Sequence, residues 1–88
     1  MKLCGDFLVR QVMDNIVAIP VGKTALQFNG MIMLNDVSRV IWQCLEQGAD
    51  MDTIVTAVTD AFSVERPEAQ ADILEFCDKL RQMQLLEN

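Results

Sequence analysis

Three cysteines and thirteen carboxylates are the side chains here whose types could do chemistry, and their spacing decides how much of that survives. A cysteine zinc site normally draws two thiolates from one short loop, as in Cys-x-x-Cys. Cys4, Cys44 and Cys77 are far apart in the chain, and the last two fall on apolar helical stripes. A thiol buried there behaves as a small hydrophobe and is inert. The carboxylates of Asp50, Asp52, Glu65, Glu68, Asp72 and Glu75 fall at helix starts or on polar helix faces. Negative side chains are favoured at those positive ends without any catalytic task. The chain has no histidine and no tyrosine, so the commonest general acid–base residue is missing. Gly5, Gly22, Gly30 and Gly48 are isolated and form no phosphate loop. These residues argue against an enzyme and call for neither a metal nor a cofactor.

The bulk properties narrow the partners. A chain of 88 residues has room for one domain, 1–88, with a core and no deep catalytic cleft. Its 51% hydrophobic residues place it among chains that fold. The net charge is -6, and Lys2, Arg10, Lys23, Arg39, Arg66, Lys79 and Arg81 are scattered rather than clustered. A polyanionic duplex would be repelled, whereas a basic peptide or protein is permitted. No apolar run approaches the ~20 residues of a spanning helix, and the N-terminus does not read as a signal peptide. A cytoplasmic location is expected.

The elements that would position a binding surface follow from hydrophobic period. Residues 7–13 and 16–21 are rich in Val, Ile and Leu, and Asp14-Asn15 between them tolerates the positive φ of a tight hairpin turn. With that turn Met13 faces Ile16, Val12 faces Val17 and Arg10 faces Ile19. Pro20 belongs near a strand end or on a non-bonding edge. Gly22 to Gln27 reads as a connection, and Met31 to Leu34 as a short third strand. An alternative stays open: Asn29-Gly30 could be a turn folding Leu26–Phe28 onto Met31–Met33. Alternation sends Ile32 to one face and Met31 and Met33 to the other.

Beyond Asn35, which can cap a helix, the period becomes that of a helix. Val37, Val40, Ile41, Cys44 and Leu45 mark the first helix, with Gly48 as its left-handed cap; Trp42 stands off that stripe, where a binding role competes with the favoured reading that it closes the edge of the core. A second helix starts near Asp50 or Asp52 and presents Ile54, Val55, Val58, Ala61 and Phe62. Pro67 fits the first turn of a third, whose stripe is Ala69, Ile73, Phe76, Cys77, Leu80 and Met83.

The run Phe28-Asn29-Gly30-Met31-Ile32-Met33-Leu34-Asn35, then Trp42 and Leu45, then a long amphipathic helix ending in Leu85-Leu86, resembles the PqqD family, named for pyrroloquinoline quinone biosynthesis. The resemblance implies an α+β, winged-helix-like fold, a three-stranded antiparallel sheet followed by a three-helix bundle. It implies a non-catalytic chaperone without a cofactor. Such a protein binds the leader of a ribosomally made precursor peptide as an added strand and presents it to a modifying enzyme, commonly a radical S-adenosylmethionine (SAM) enzyme. Carried onto this chain, the strand edge is Met31, Ile32, Met33 and Leu34, and the helical wall is the flank holding Leu74, Cys77, Asp78 and Arg81. The opposite flank, Phe76, Lys79 and Met83, stays open as an alternative. Two other readings compete: a winged-helix DNA-binding protein, opposed by the acidic charge, and a structural subunit that pairs with itself. Monomer and homodimer are both compatible with the residues.

Overall fold

The computed structural model describes residues 1–87. In chain order the elements are β1 (Lys2–Leu3), β2 (Phe7–Val12), β3 (Asn15–Pro20), α1 (Thr24–Gln27), β4 (Ile32–Leu34), α2 (Asp36–Glu46), α3 (Met51–Ala61), α4 (Arg66–Gln82) and β5 (Leu86–Glu87). Strands β2, β3 and β4 form one antiparallel sheet in that order, leaving β3 central and β2 and β4 at the edges. This is the expected sheet followed by three long helices, with two additions. The connection after β3 contains the single-turn α1, and the short strands β1 and β5 pair as a separate ribbon.

The hairpin between β2 and β3 turns one residue earlier than the sequence suggested. Val12 faces Asn15, Arg10 faces Val17 and Leu8 faces Ile19, and Met13 rather than Asn15 takes the left-handed φ of 58°. Pro20 explains the choice. In this register it faces Phe7 at the ladder's end, where a missing N–H breaks nothing, whereas the later turn would have opposed it to Val9 inside the ladder. The hairpin from Leu26–Phe28 onto Met31–Met33 does not form, because Leu26 is in α1 and β4 pairs with β3 through Ile32, Met33 and Leu34.

Period-two alternation puts Ile16, Ala18, Ile32 and Leu34 on the covered face of the sheet. They meet Ile41, Trp42 and Leu45 of α2, Ile54, Val55 and Val58 of α3, and Ala69, Ile73, Cys77 and Leu80 of α4 in one core. Trp42 is not at the edge of this core but inside it, 0% exposed, with the Phe7 ring edge-to-face at 5.2 Å. The buried face of α2 is therefore turned toward Trp42, and Val37, Val40 and Cys44 are only half-buried.

The helix ends are specified locally. The Asp50 carboxylate accepts the Thr53 N–H at 2.8 Å and caps α3. Hydrogen bonds from the Thr53 hydroxyl and backbone N–H hold its pKa below the usual carboxylate value. Gly48 has the expected left-handed conformation after α2, and its N–H bonds the Leu45 carbonyl. Helix α4 ends at Gln82, short of Leu85-Leu86. Gln84 adopts a φ of 62°, its N–H bonds the Arg81 carbonyl, and the Leu85 N–H reaches back to the Leu80 carbonyl. This paired closure stops the helix and folds Leu85 and Leu86 back onto the core. Among the described residues no helix is long and apolar enough to cross a membrane.

Candidate functional site

Strand β4 is short because its sequence ends it at once. The Asn35 side chain accepts the Ser38 N–H at 2.8 Å, and the Ser38 hydroxyl accepts the Asn35 N–H at 2.7 Å. This reciprocal cap starts α2 immediately after Leu34. Between Gly30, with a φ of 102°, and that cap lies the extended run Met31 to Leu34. Ile32 and Leu34 point into the core, while Met31 and Met33 are each 57% exposed, as alternation requires. One side of β4 pairs with β3. Among the described residues no strand pairs with the other side. An unpaired strand edge offers N–H and C=O groups to any extended chain that reaches it, and charged residues, which usually guard such edges, are missing from Met31 to Leu34.

Beside this edge is a groove of about 590 Å³. Phe28, Met31, Ile32 and Met33 form one wall, and Asn35, Val37, Ser38 and Ile41 form the floor at the start of α2. The facing wall is Asp72, Glu75, Phe76, Lys79 and Met83 of α4. The groove is thus somewhat more apolar than polar, with Asp72, Glu75 and Lys79 supplying charge, and its size suits large side chains.

The α4 wall is the flank left open in the sequence, and the flank Leu74, Cys77, Asp78 and Arg81 does not line the groove. The helix's rotation is the reason. Ala69, Ile73, Cys77 and Leu80 are all 0% exposed, so they fix the inward direction. At ~100° per residue, Phe76, Met83 and Asp72 fall to one side of that direction, and Leu74, Arg81 and Asp78 to the other. Cys77 lies in the core itself. Asp78 and Arg81 pair at 3.0 Å, and an Arg81 guanidinium nitrogen stands 3.4 Å from the Met1 sulfur, on the side of the β1–β5 ribbon. Leu74 is 42% exposed on that same side. Of the expected site residues, Met31, Ile32 and Met33 border the groove, Leu34 is buried behind the edge, and the other four are elsewhere.

Val37, Ser38 and Ile41 were not expected at a site. Their signal was available, since positions three and four residues beyond a strand-ending cap share a face with that strand's exit. Phe76 and Met83 carried a signal too, being the larger apolar pair on α4.

The chemistry of the described residues is spare. No group of three or more His, Cys, Asp or Glu is placed to hold a metal ion. All three cysteines are free, and burial pushes the Cys77 and Cys44 thiols up, which keeps both protonated at neutral pH. What the site offers is an edge, an apolar groove and a few charges.

The family model described as coenzyme PQQ synthesis protein D (PqqD) matches residues 15–86. This chain belongs to the PqqD family. The match begins at β3 and so takes in β4, the reciprocal cap and all three long helices. A solved structure of TbiB1 in complex with the TbiA(beta) leader peptide superposes with a TM-score of 0.74, at 27% identity, over 100% of this PqqD-family chain and 96% of that one. A lasso peptide synthetase B1 complexed with the leader peptide gives a TM-score of 0.72 at 22% identity, over 99% and 96% of the two chains, a likeness of fold alone. No curated protein sequence matched the chain.

Proposed function

We propose that this PqqD-family protein is a non-catalytic adaptor. It binds the leader of a ribosomally made precursor peptide as an added strand on β4 and carries it to a modifying enzyme. The observation that carries this reading is the coincidence of an unpaired, uncharged strand edge with a groove of about 590 Å³ between it and α4. Edge backbone groups supply affinity without regard to sequence, and the groove selects side chains from alternate positions of the guest. The TbiB1 complex, which spans the same fold with a leader peptide bound, supports the assignment. The modifying enzyme is a separate protein, a radical SAM enzyme in our reading, and the meeting takes place in the cytoplasm. The recognition residues are Met31, Ile32, Met33 and Leu34 on the edge, with Phe76, Lys79 and Met83 opposite.

The test is an NMR titration of labelled protein with the leader of a precursor peptide encoded beside its gene. Amide signals of Met31 to Leu34 and of the α4 wall should move together. Movement confined to α3 would contradict the reading. The exposure of Met31 and Met33 also favours self-pairing through β4, which mass measurement across a concentration series separates from a monomer.

A further inference from the structure

Resting on that reading, we infer that the guest strand bears a Lys or Arg an even number of residues from the large apolar side chain that enters the groove, and that Asp72 is the group that selects it. The neutral side-chain acceptors at the groove are already occupied. The Asn35 oxygen holds the Ser38 N–H, and the Ser38 hydroxyl is closed within the same cap. Glu75 and Lys79 are tied to each other at 3.7 Å on consecutive turns of α4. Asp72 has no ion-pair partner among the described residues, and it is the groove's uncompensated charge. A carboxylate is an acceptor only, so a guest side chain that meets it must donate, and a cation does so with the added attraction of opposite charge. The whole chain, at a net charge of -6, favours the same partner.

Spacing follows from the strand. Successive side chains of an added strand point to opposite faces, so only alternate residues look past Ile32 and Leu34 toward α4. The apolar anchor among Phe28, Phe76 and Met83 and the cation at Asp72 both lie on that side. They therefore belong to the same alternate set. A basic residue at odd spacing would stand on the outer face beside Met33, where the groove's lining offers no carboxylate.

The experiment is selection of a random short-peptide library against the immobilised protein, repeated with Asp72→Lys and with Asp78→Lys as a control on the far flank. All three proteins are first shown to be folded by circular dichroism. Wild type and Asp78→Lys should enrich peptides with Lys or Arg at even spacing from an aromatic or aliphatic residue, and Asp72→Lys should lose that preference. In a selected peptide, changing the basic residue to Glu or moving it by one position should weaken binding about threefold to fivefold, as befits an exposed pair. Enrichment without a basic residue, equal loss with Asp78→Lys, or indifference to the one-position shift would overturn the inference and leave strand addition standing. Failure to enrich any peptide would overturn strand addition, and the inference with it.

Discussion

The two flanks of α4 are divided by the same buried stripe, yet their surroundings are opposite. Phe76, Lys79 and Met83 face the open edge of β4 across a groove, while on the other flank Leu74 is exposed, Asp78 pairs with Arg81, and Arg81 reaches Met1. Both flanks mix apolar and charged residues. Their difference therefore does not lie in composition but in what the helix's rotation sets them against, and the stripe determines that rotation. A groove is made by the neighbour as much as by the helix. The short strand β4 supplies the neighbour here, and its outer side is unpaired among the described residues.

The sharpest way to break the comparison is to attack the stripe that both flanks share. Cys77→Asp would place an unpaired carboxylate at a position with 0% exposure, costing roughly 3–5 kcal/mol out of a total stability of about 5–15. Thermal unfolding should show a large fall in melting temperature, and both flanks should be destabilised together. The wild-type thiol gives the gentler version. Burial raises its folded pKa, so its contribution is fully present below the unfolded thiol's pKa of ~8.5 and is lost as pH rises toward the folded value. Denaturant midpoints should fall as pH rises above about 8.5 in wild type and fall less in Cys77→Ala.

Next in size is the groove side alone. The half-buried Phe76 ring joins the core edge and the groove wall. Phe76→Ala should lower stability by roughly 1–2 kcal/mol through lost apolar burial. It should weaken leader-peptide binding about tenfold or more, as loss of an aromatic anchor does. A binding loss no greater than that of Leu74→Asp would mean that the two flanks do not differ in the way proposed.

The strand-to-helix junction separates fold from site. Asn35→Ala removes the acceptor of the 2.8 Å bond to the Ser38 N–H and should cost about 1 kcal/mol, a fall of about 4–8 °C in melting temperature. Ser38 should lose hydrogen-exchange protection before α3 does. An unchanged melting temperature would show that the cap does not control where β4 ends.

Much of this was legible from residue order. Alternation placed Ile32 on one face and Met31 and Met33 on the other, Asn35 read as a cap, and Gly48 read as a left-handed stop; all three hold, and the structure adds that Ile32 is the inward one. Local signals sufficed because each depends on one or two residues and a fixed period. What escaped depends on longer range. The hairpin register was decided by Pro20, seven residues past the turn at Met13, and the end of α4 by a left-handed Gln84 that carries no glycine signal. Which flank of α4 borders the groove escaped for a different reason. A helical stripe has two flanks that are equivalent in sequence until the path of the neighbouring strand is known, so period alone names both.

The smallest expected effect is the most discriminating test of that equivalence. Leu74 is 42% exposed, seven residues before Arg81 on the ribbon side, and it takes no part in the groove. Leu74→Asp adds a charge where solvent already reaches, so stability should change by no more than about 0.5 kcal/mol and peptide affinity by about twofold at most. The substitution also raises the negative charge of the whole molecule, so a basic guest measured at low salt would bind slightly tighter, and added salt should erase that gain. A clear, salt-resistant loss of affinity in Leu74→Asp would locate the guest on the ribbon side of α4 and reverse the assignment of the two flanks.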